Sequence, residues 1–333
     1  MYRMVILSLY LNKRYVIMLY KINNDLERVP KGRLREGEII VGVRIISDTT
    51  SYIDPVLREE LDIQLIPLSV HFPDESFQED QVDYDYFYGK IIRENIIPTS
   101  SQPSAWELLV TFRKIVAAGD DIVAIFISSA MSGTYSNALT SKAELLNEFP
   151  DAKIEIIDSR TNCMALGAIV LEAASAAKAG ATFEEVVSIA VGARNRVHFY
   201  FTPKTLEFLK KGGRIGTASA LLGNMLNIST ILTVDMKAGM THLSAKARGS
   251  NRALAKIYEI LERDYEQYGI KAMYVHHISA KEKADEIREL LMSKYPGIPI
   301  GICDIGPVIG LHVGPGTVGI VYCTEGVKQE LAF

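Results

Sequence analysis

Three consecutive hydroxyl side chains, Thr99, Ser100 and Ser101, stand between two prolines in Pro98-Thr-Ser-Ser-Gln-Pro103. The prolines restrict the backbone and deny it regular structure, and the hydroxyls can donate to an anion or a carbonyl. Helix capping explains the segment too, since Ser101 or Gln102 falls beside a helix opened by Pro103. Capping needs one hydroxyl and three are present, yet taken alone the segment reads best as a cap. A second polar cluster, Ser128-Ser-Ala-Met-Ser-Gly-Thr-Tyr135, follows the apolar run 122–127. In open parallel sheets, ligands bind beyond the carboxyl ends of strands. A helix that starts there offers free N–H groups and the positive end of its dipole to an anion. Ser129 or Ser132 can donate to a carboxylate that Gly133 lets approach, or Ser132 can simply cap the helix. The two readings stand level.

Lys210-Lys-Gly-Gly-Arg-Ile-Gly216 sets two glycines among cations, a turn able to cradle phosphate or meet an acidic partner. It lacks the GxxxxGK[ST] order of a P-loop, and a helix end with glycine at its C-cap has the same composition. A fourth segment, Gly310-Leu-His-Val-Gly-Pro-Gly-Thr-Val-Gly319, contains a formal GxGxxG at residues 314–319. The apolar β-run Ile320-Val-Tyr-Cys323 follows it where a dinucleotide fold needs a helix, which excludes that site. What remains is His312 in a glycine-rich loop, from which its ring can reach a ligand carboxyl; an isolated histidine is more often structural. His276 and His277 are adjacent on a strand, so their rings point to opposite faces and cannot chelate one metal. No HExxH or GxSxG occurs. Asp74, Glu75, Glu79, Asp80, Asp83 and Asp85 read as a solvated loop entering a helix around 86–93.

The elements that must position these groups are visible as periodicities. A β-branched run at 39–46 leads into Ser47-Asp-Thr-Thr-Ser51, as a buried parallel strand leads into a polar loop. Residues 63–71 predict a second strand, with a short helix at 55–61 between them. Ala105, Leu108, Leu109, Phe112, Ile115 and Val116 mark one helical face after Pro103. A strand at 122–127, a helix reaching Phe149, a strand at 154–157 and an alanine-rich helix after Asp158-Ser159 follow. This repetition predicts an α/β fold, a parallel sheet with helices on both faces. After about residue 195, short strands at 197–201, 231–234 and 240–245 precede two helices, with strands at 272–276, 300–305 and 317–323. The chain therefore divides into an N-terminal extension, 1–38, a parallel α/β domain, 39–195, and a mixed α/β domain, 196–333.

Thirty-six basic against forty acidic side chains give a formal charge of −4. With no clustered basic stripe, this argues against a nucleic-acid partner. Cys163, Cys303 and Cys323 are far apart and form no CxxC, which fits a reducing cytoplasm. The apolar stretch 4–20 is interrupted by Asn12, Lys13 and Arg14, short of the roughly 20 residues a spanning helix needs, and no cleavage site follows. Residues 1–38 read as an extension, against a competing edge strand or interfacial segment. Membrane contact is at most transient.

Taken together, six segments resemble the DegV family, which includes the fatty-acid-binding subunits of bacterial fatty acid kinase. They are Ser47-Asp-Thr-Thr-Ser51, Thr99-Ser-Ser-Gln-Pro-Ser104, Ser128-Ser-Ala-Met-Ser-Gly-Thr-Tyr135, Asp158-Ser159, Leu209-Lys-Lys-Gly-Gly-Arg-Ile215 and His312-Val-Gly-Pro-Gly316. The resemblance spans about 43–322 and implies a two-domain DegV-like fold that encloses one long-chain fatty acid between its domains, the acyl chain in an apolar tunnel. Carried over by position, it implies that Ser100, Ser132 (or Ser129) and His312 hydrogen-bond the carboxyl end. Arg214 then stands at the rim, where a kinase partner makes contact. It implies a binding protein of phospholipid metabolism rather than an enzyme, with no cofactor beyond the lipid. For those members that serve fatty acid kinase, it implies that a separate ATP-using kinase subunit phosphorylates the bound carboxyl group to an acyl phosphate. Ser100 departs from the family's usual threonine, keeping the donor and losing a methyl. Ser229-Thr230 replace Lys-Pro, and Asp48-Thr-Thr-Ser51 replace Asp-Ser-Thr-Ser; neither change removes a headgroup donor. Two other classes compete. One is a phosphotransferase acting on a small anion with Lys211 and Arg214 as clamps, against which stands the lack of a nucleotide loop. The other is a lipid-sensing regulatory protein.

Overall fold

The structure, a computed structural model, describes residues 42–221 and 228–327, so the segment expected as an extension, 1–38, lies outside the described residues. The chain opens on β1 (Val43–Asp48), α1 (Pro55–Glu60) and β2 (Gln64–Ile66), then β3 (Ser69–His71), β4 (Ser76–Gln78), α2 (Tyr84–Glu94) and β5 (Thr99–Ser101). It continues through α3 (Ala105–Ala117), β6 (Asp121–Phe126), α4 (Thr134–Glu148), β7 (Ile154–Asp158), α5 (Cys163–Lys178) and α6 (Phe183–Arg194). Strands β2-β1-β6-β7 form a parallel sheet in that order. Ile122 to Phe126 of β6 are all buried, as an unbroken apolar strand requires when both faces are covered. Leu108, Leu109 and Phe112 of α3 and Ala138 and Leu145 of α4 pack on one face. Helices α5 and α6 cover the other.

Three expectations change here. The single strand expected at 63–71 is split by Pro67, which has no N–H to give a ladder. Its first part joins the parallel sheet, and its second joins a small antiparallel sheet in the order β4-β3-β5. The segment between Pro98 and Pro103 is not irregular, because Thr99, Ser100 and Ser101 pair with His71, Val70 and Ser69. Both prolines lie outside the paired residues, and β5 is an edge strand, where proline flanks do no harm. The helix cap is neither Ser101 nor Gln102. Ser104 Oγ accepts from Glu107 N at 3.2 Å while Ser104 N donates to Glu107 Oε2 at 2.8 Å, a capping box. The three hydroxyls before it are thereby released from capping.

The remaining elements are β8 (Val197–Thr202), α7 (Glu207–Lys211), β9 (Ile228–Asp235), β10 (Met240–Arg248), α8 (Ser250–Tyr268), β11 (Ile270–His277), α9 (Lys281–Lys294), β12 (Ile300–Asp304), α10 (Pro307–Val313) and β13 (Val318–Thr324). Six strands form a mixed sheet, β10-β9-β8-β13-β11-β12, in which β11 and β12 alone run parallel. Met273, Val275, Ile320 and Tyr322 bury one face against α8 and α9. The other face, with Phe199, Phe201, Leu232 and Val321, shares a core with α5 and the parallel sheet. Helix α5 is therefore the middle layer, and its alanines allow both sheets to approach. Among the described residues, no helix is long and apolar enough to cross a membrane.

Candidate functional site

His312 lies in the last turn of α10, not in the loop expected from its flanking glycines. Pro307 occupies the first turn, where its missing N–H costs nothing. Gly314 ends the helix at φ +90°, a conformation that L side chains avoid. The helix is fixed from the other half of the chain. Glu79 accepts from Val308 N at 2.9 Å and Tyr52 OH at 2.7 Å through Oε1, and from Thr49 Oγ1 at 2.5 Å through Oε2. Tyr88 OH donates to Ile305 O at 2.6 Å and Gly306 O at 2.9 Å. Glu79 is thus not part of a solvated acidic loop. It is 1% exposed, and burial pushes its carboxyl up to about 7, whereas Asp74, Asp80, Asp83 and Asp85 are exposed.

Strand β5 brings Ser100 Oγ to 3.2 Å from His312 Nε2. On the ring's other side, Nδ1 is buried without a hydrogen-bond partner among the described residues and rests on Gly212, where a Cβ would come within 2.1 Å of it. Burial first, and then the charge of Arg214, lower the imidazole to about 4. His312 is neutral at pH 7 and offers one N–H and one lone pair. Gly212 has ordinary helical backbone angles (φ −75°), so Gly212→Ala strains no dihedral and acts by pushing the ring away. We expect it to lower ligand affinity about tenfold, with the thermal midpoint little changed. A displacement titration with a parallel melt checks this, and unchanged affinity would show that the ring's position is unimportant.

Arg214 follows the end of α7. Gly213 adopts φ +70° and Arg214 N donates to Leu209 O at 3.0 Å, which is the glycine helix terminus read from composition. The same turn delivers the guanidinium to the 128–133 loop, where Nε donates to Met131 O at 3.1 Å and Nη1 to Gly212 O at 2.5 Å. Lys211 is exposed and does not line the cavity described below, so the pair does not form a phosphate clamp.

The serines of the second cluster separate. Ser128 is buried and donates to Gly239 O at 2.6 Å. Ser129 is exposed, donates to Asp158 Oδ2 at 2.6 Å and does not line the cavity. Ser132 does line it, with Oγ 3.0 Å from Thr134 Oγ1. The helix N-cap is Gly133 rather than Ser132.

Ser100, Ser132, Arg214 and His312 come together on one cavity of about 70 Å³, with Gln102 beside them. Leu68, Ile127, Phe199, Phe201, Val308 and Ile309 supply apolar wall. No carboxylate is among the described residues that line it. Two hydroxyls, a guanidinium and a neutral imidazole suit an anion attached to an apolar body. Cys163 also reaches the cavity, but burial pushes its thiol well above the usual range, which disfavours the thiolate a nucleophile needs. A larger space of about 810 Å³ has a lining of mixed charge, with Asp54, Asp80, Asp285 and Asp304 beside Arg58, Lys281 and Arg288. Glu79 and Gln102 escape sequence reading, because each is placed by contacts distant in the chain.

Residues 42–325 match a family described as uncharacterised proteins of the DegV family. A DegV domain-containing protein of Clostridium acetobutylicum is 45% identical over 285 residues, 86% of this chain and 99% of that protein. The structure of DegV from Bacillus subtilis, a fatty acid binding protein, superposes with a TM-score of 0.76 at 31% identity, covering 85% of this chain and 99% of the other. A DegV family protein from Thermus thermophilus described for its fatty acid binding superposes with a TM-score of 0.77 at 27% identity, covering 85% and 100%. With the family match covering residues 42–325 and the Clostridium acetobutylicum relative 45% identical over nearly its whole length, this chain belongs to the DegV family.

Proposed function

We propose that this chain binds a long-chain fatty acid in the cavity beneath α10, with the carboxyl end held by Ser100, Ser132 and His312 and with Arg214 at the rim. The observation that carries this reading is the convergence of those donors on a space with an apolar wall of Leu68, Ile127, Phe199, Phe201, Val308 and Ile309 and, among the described residues, no carboxylate in its lining. The fatty acid binding described for the Bacillus subtilis and Thermus thermophilus relatives supports it. An acyl chain of about sixteen carbons brings roughly 0.8 kcal/mol per buried methylene, so the apolar wall supplies most of the affinity. The polar end fixes orientation, because a buried carboxyl without donors is costly. A cavity of about 70 Å³ is well below the roughly 300 Å³ of the smaller ligand pockets. Loading therefore moves lining side chains apart, and the unbranched Met131 is the most adaptable of them.

On this reading the two halves, 39–195 and 196–333, are domains that form the two walls, and the chain presents a carboxyl group rather than transforming it. A separate ATP-using fatty acid kinase subunit then makes the acyl phosphate, docking near Arg214, which is partly exposed. A cytoplasmic setting fits the three buried free cysteines. The first test is mass spectrometry of gently purified full chain, followed by uptake of hexadecanoic acid after delipidation. We expect one retained or rebound fatty acid per chain. Absence of both overturns the reading, and ATP turnover by the isolated chain would favour a phosphotransferase instead.

A further inference from the structure

The cavity is lined by two further imidazoles that the headgroup does not use, His276 and His277, and His277 Nδ1 lies 3.2 Å from Asp304 Oδ1. His276 lies on β11, paired with Gly319 of β13 on one side and Cys303 of β12 on the other. It is on the sheet face that looks toward α5, and its ring meets Phe199 edge-on at 5.0 Å between centroids. It lines the same cavity as His312 and is 2% exposed. Neither Nδ1 nor Nε2 has a hydrogen-bond partner among the described residues. Gly319 contributes no side chain, and the Cys303 thiol at the other neighbouring position contacts the carbonyls of Tyr52 and Asp304 instead.

Buried polar groups in folded proteins are paired, and an unpaired one signals a missing partner. Burial lowers His276 to about 3, so the ring is neutral and has one donor and one acceptor to satisfy. A plain hydrocarbon chain in this cavity satisfies neither. A hydroxyl satisfies either, because it both donates and accepts, whichever tautomer the ring holds. We propose that His276 is a specificity-determining contact within the acyl cavity and that it selects fatty acids carrying a hydroxyl group along the chain. This inference rests on the fatty-acid reading above and adds the class of acyl chain.

The test is competitive displacement on the full chain. Hexadecanoic acid is compared with a series of monohydroxyhexadecanoic acids, the hydroxyl moved along the chain, for wild type and His276→Phe. At least one hydroxylated isomer should bind wild type about tenfold tighter than the parent acid, the worth of one hydrogen bond made to a buried group otherwise left unpaired. His276→Phe should lose that preference, the parent and hydroxylated acids then binding within about threefold of each other, with chemical denaturation reporting separately that the variant is folded. No preferred isomer in wild type, or a preference that survives His276→Phe, overturns the proposal. If wild type binds none of the acids, the fatty-acid reading fails and this one with it. A variant-free check is the ring ¹⁵N resonances of His276, which should move with the preferred hydroxylated acid and not with hexadecanoic acid. Equal movement with both counts against it.

Discussion

Replacing His312 and Ser132 together by alanine should weaken fatty-acid binding about a hundredfold or more and leave the fold in place. Each removes a donor aimed at a carboxylate, and hydrogen bonds to charged groups contribute roughly 1.5–3 kcal/mol. Because both act on one headgroup, the losses are not strictly additive, which is why the expectation stays near the lower end of their sum. The fold should tolerate the change. Among the described residues, His312 makes one side-chain hydrogen bond, to Ser100 at 3.2 Å, and Ser132 Oγ lies 3.0 Å from Thr134 Oγ1. Alanine in the last turn of α10 also keeps good helix propensity. Displacement of a fluorescent fatty acid measures the affinity, and chemical denaturation measures the fold. A loss below about threefold would remove both residues from the headgroup site. Since His312 is held near 4, it should contribute no pH dependence to binding between about pH 6 and 8.

Several parts of this arrangement were legible in the sequence, for reasons that show why others were not. The parallel sheet announced itself through strand, loop and helix in repetition, because burial on both faces forces continuous apolar runs such as Ile122 to Phe126. The polar cluster past β6 was legible for the same reason, since its place at a strand end follows from that pattern alone. Which serine faces the cavity was not legible. Ser129 and Ser132 are chemically equal, and what separates them is Asp158, 29 residues away, which takes the Ser129 hydroxyl. His312 was expected in a loop because Gly310, Gly314 and Gly316 surround it. Gly310 is helical, however, and is glycine because Tyr88 OH lies 1.9 Å from where its Cβ would be. No local pattern encodes that contact. Glu79 likewise stands among acids of the same type, and its donor Val308 is 229 residues distant.

The second large effect is expected at Glu79, outside the headgroup site. Its carboxylate accepts from Thr49, Tyr52 and Val308 at 2.5 to 2.9 Å in a fully buried position. Glu79→Ala strips all three donors of their acceptor and leaves a small void. We expect a stability loss of about 3–4 kcal/mol in chemical denaturation, since buried unpaired groups cost roughly 1–3 kcal/mol each and Tyr52 can still turn to Gly306 O. Glu79→Gln keeps an oxygen for Tyr52 and Val308 and should be mild, but it should change the pH profile. Burial raises Glu79 from 4.5 in the unfolded chain to about 7 in the folded one. Between those values the folded state holds a proton that the unfolded state has released, so stability falls as pH rises through this window and levels off above it. A shift of that size corresponds to about 3 kcal/mol. Asp48, raised by burial to about 6, adds slope in the lower part of the same window. In Glu79→Gln only the Asp48 share should remain. Equal slopes in the two proteins would mean that the three donors offset the burial and hold Glu79 ionised. The consequence reaches the ligand site, because Val308 opens the helix whose last turn carries His312.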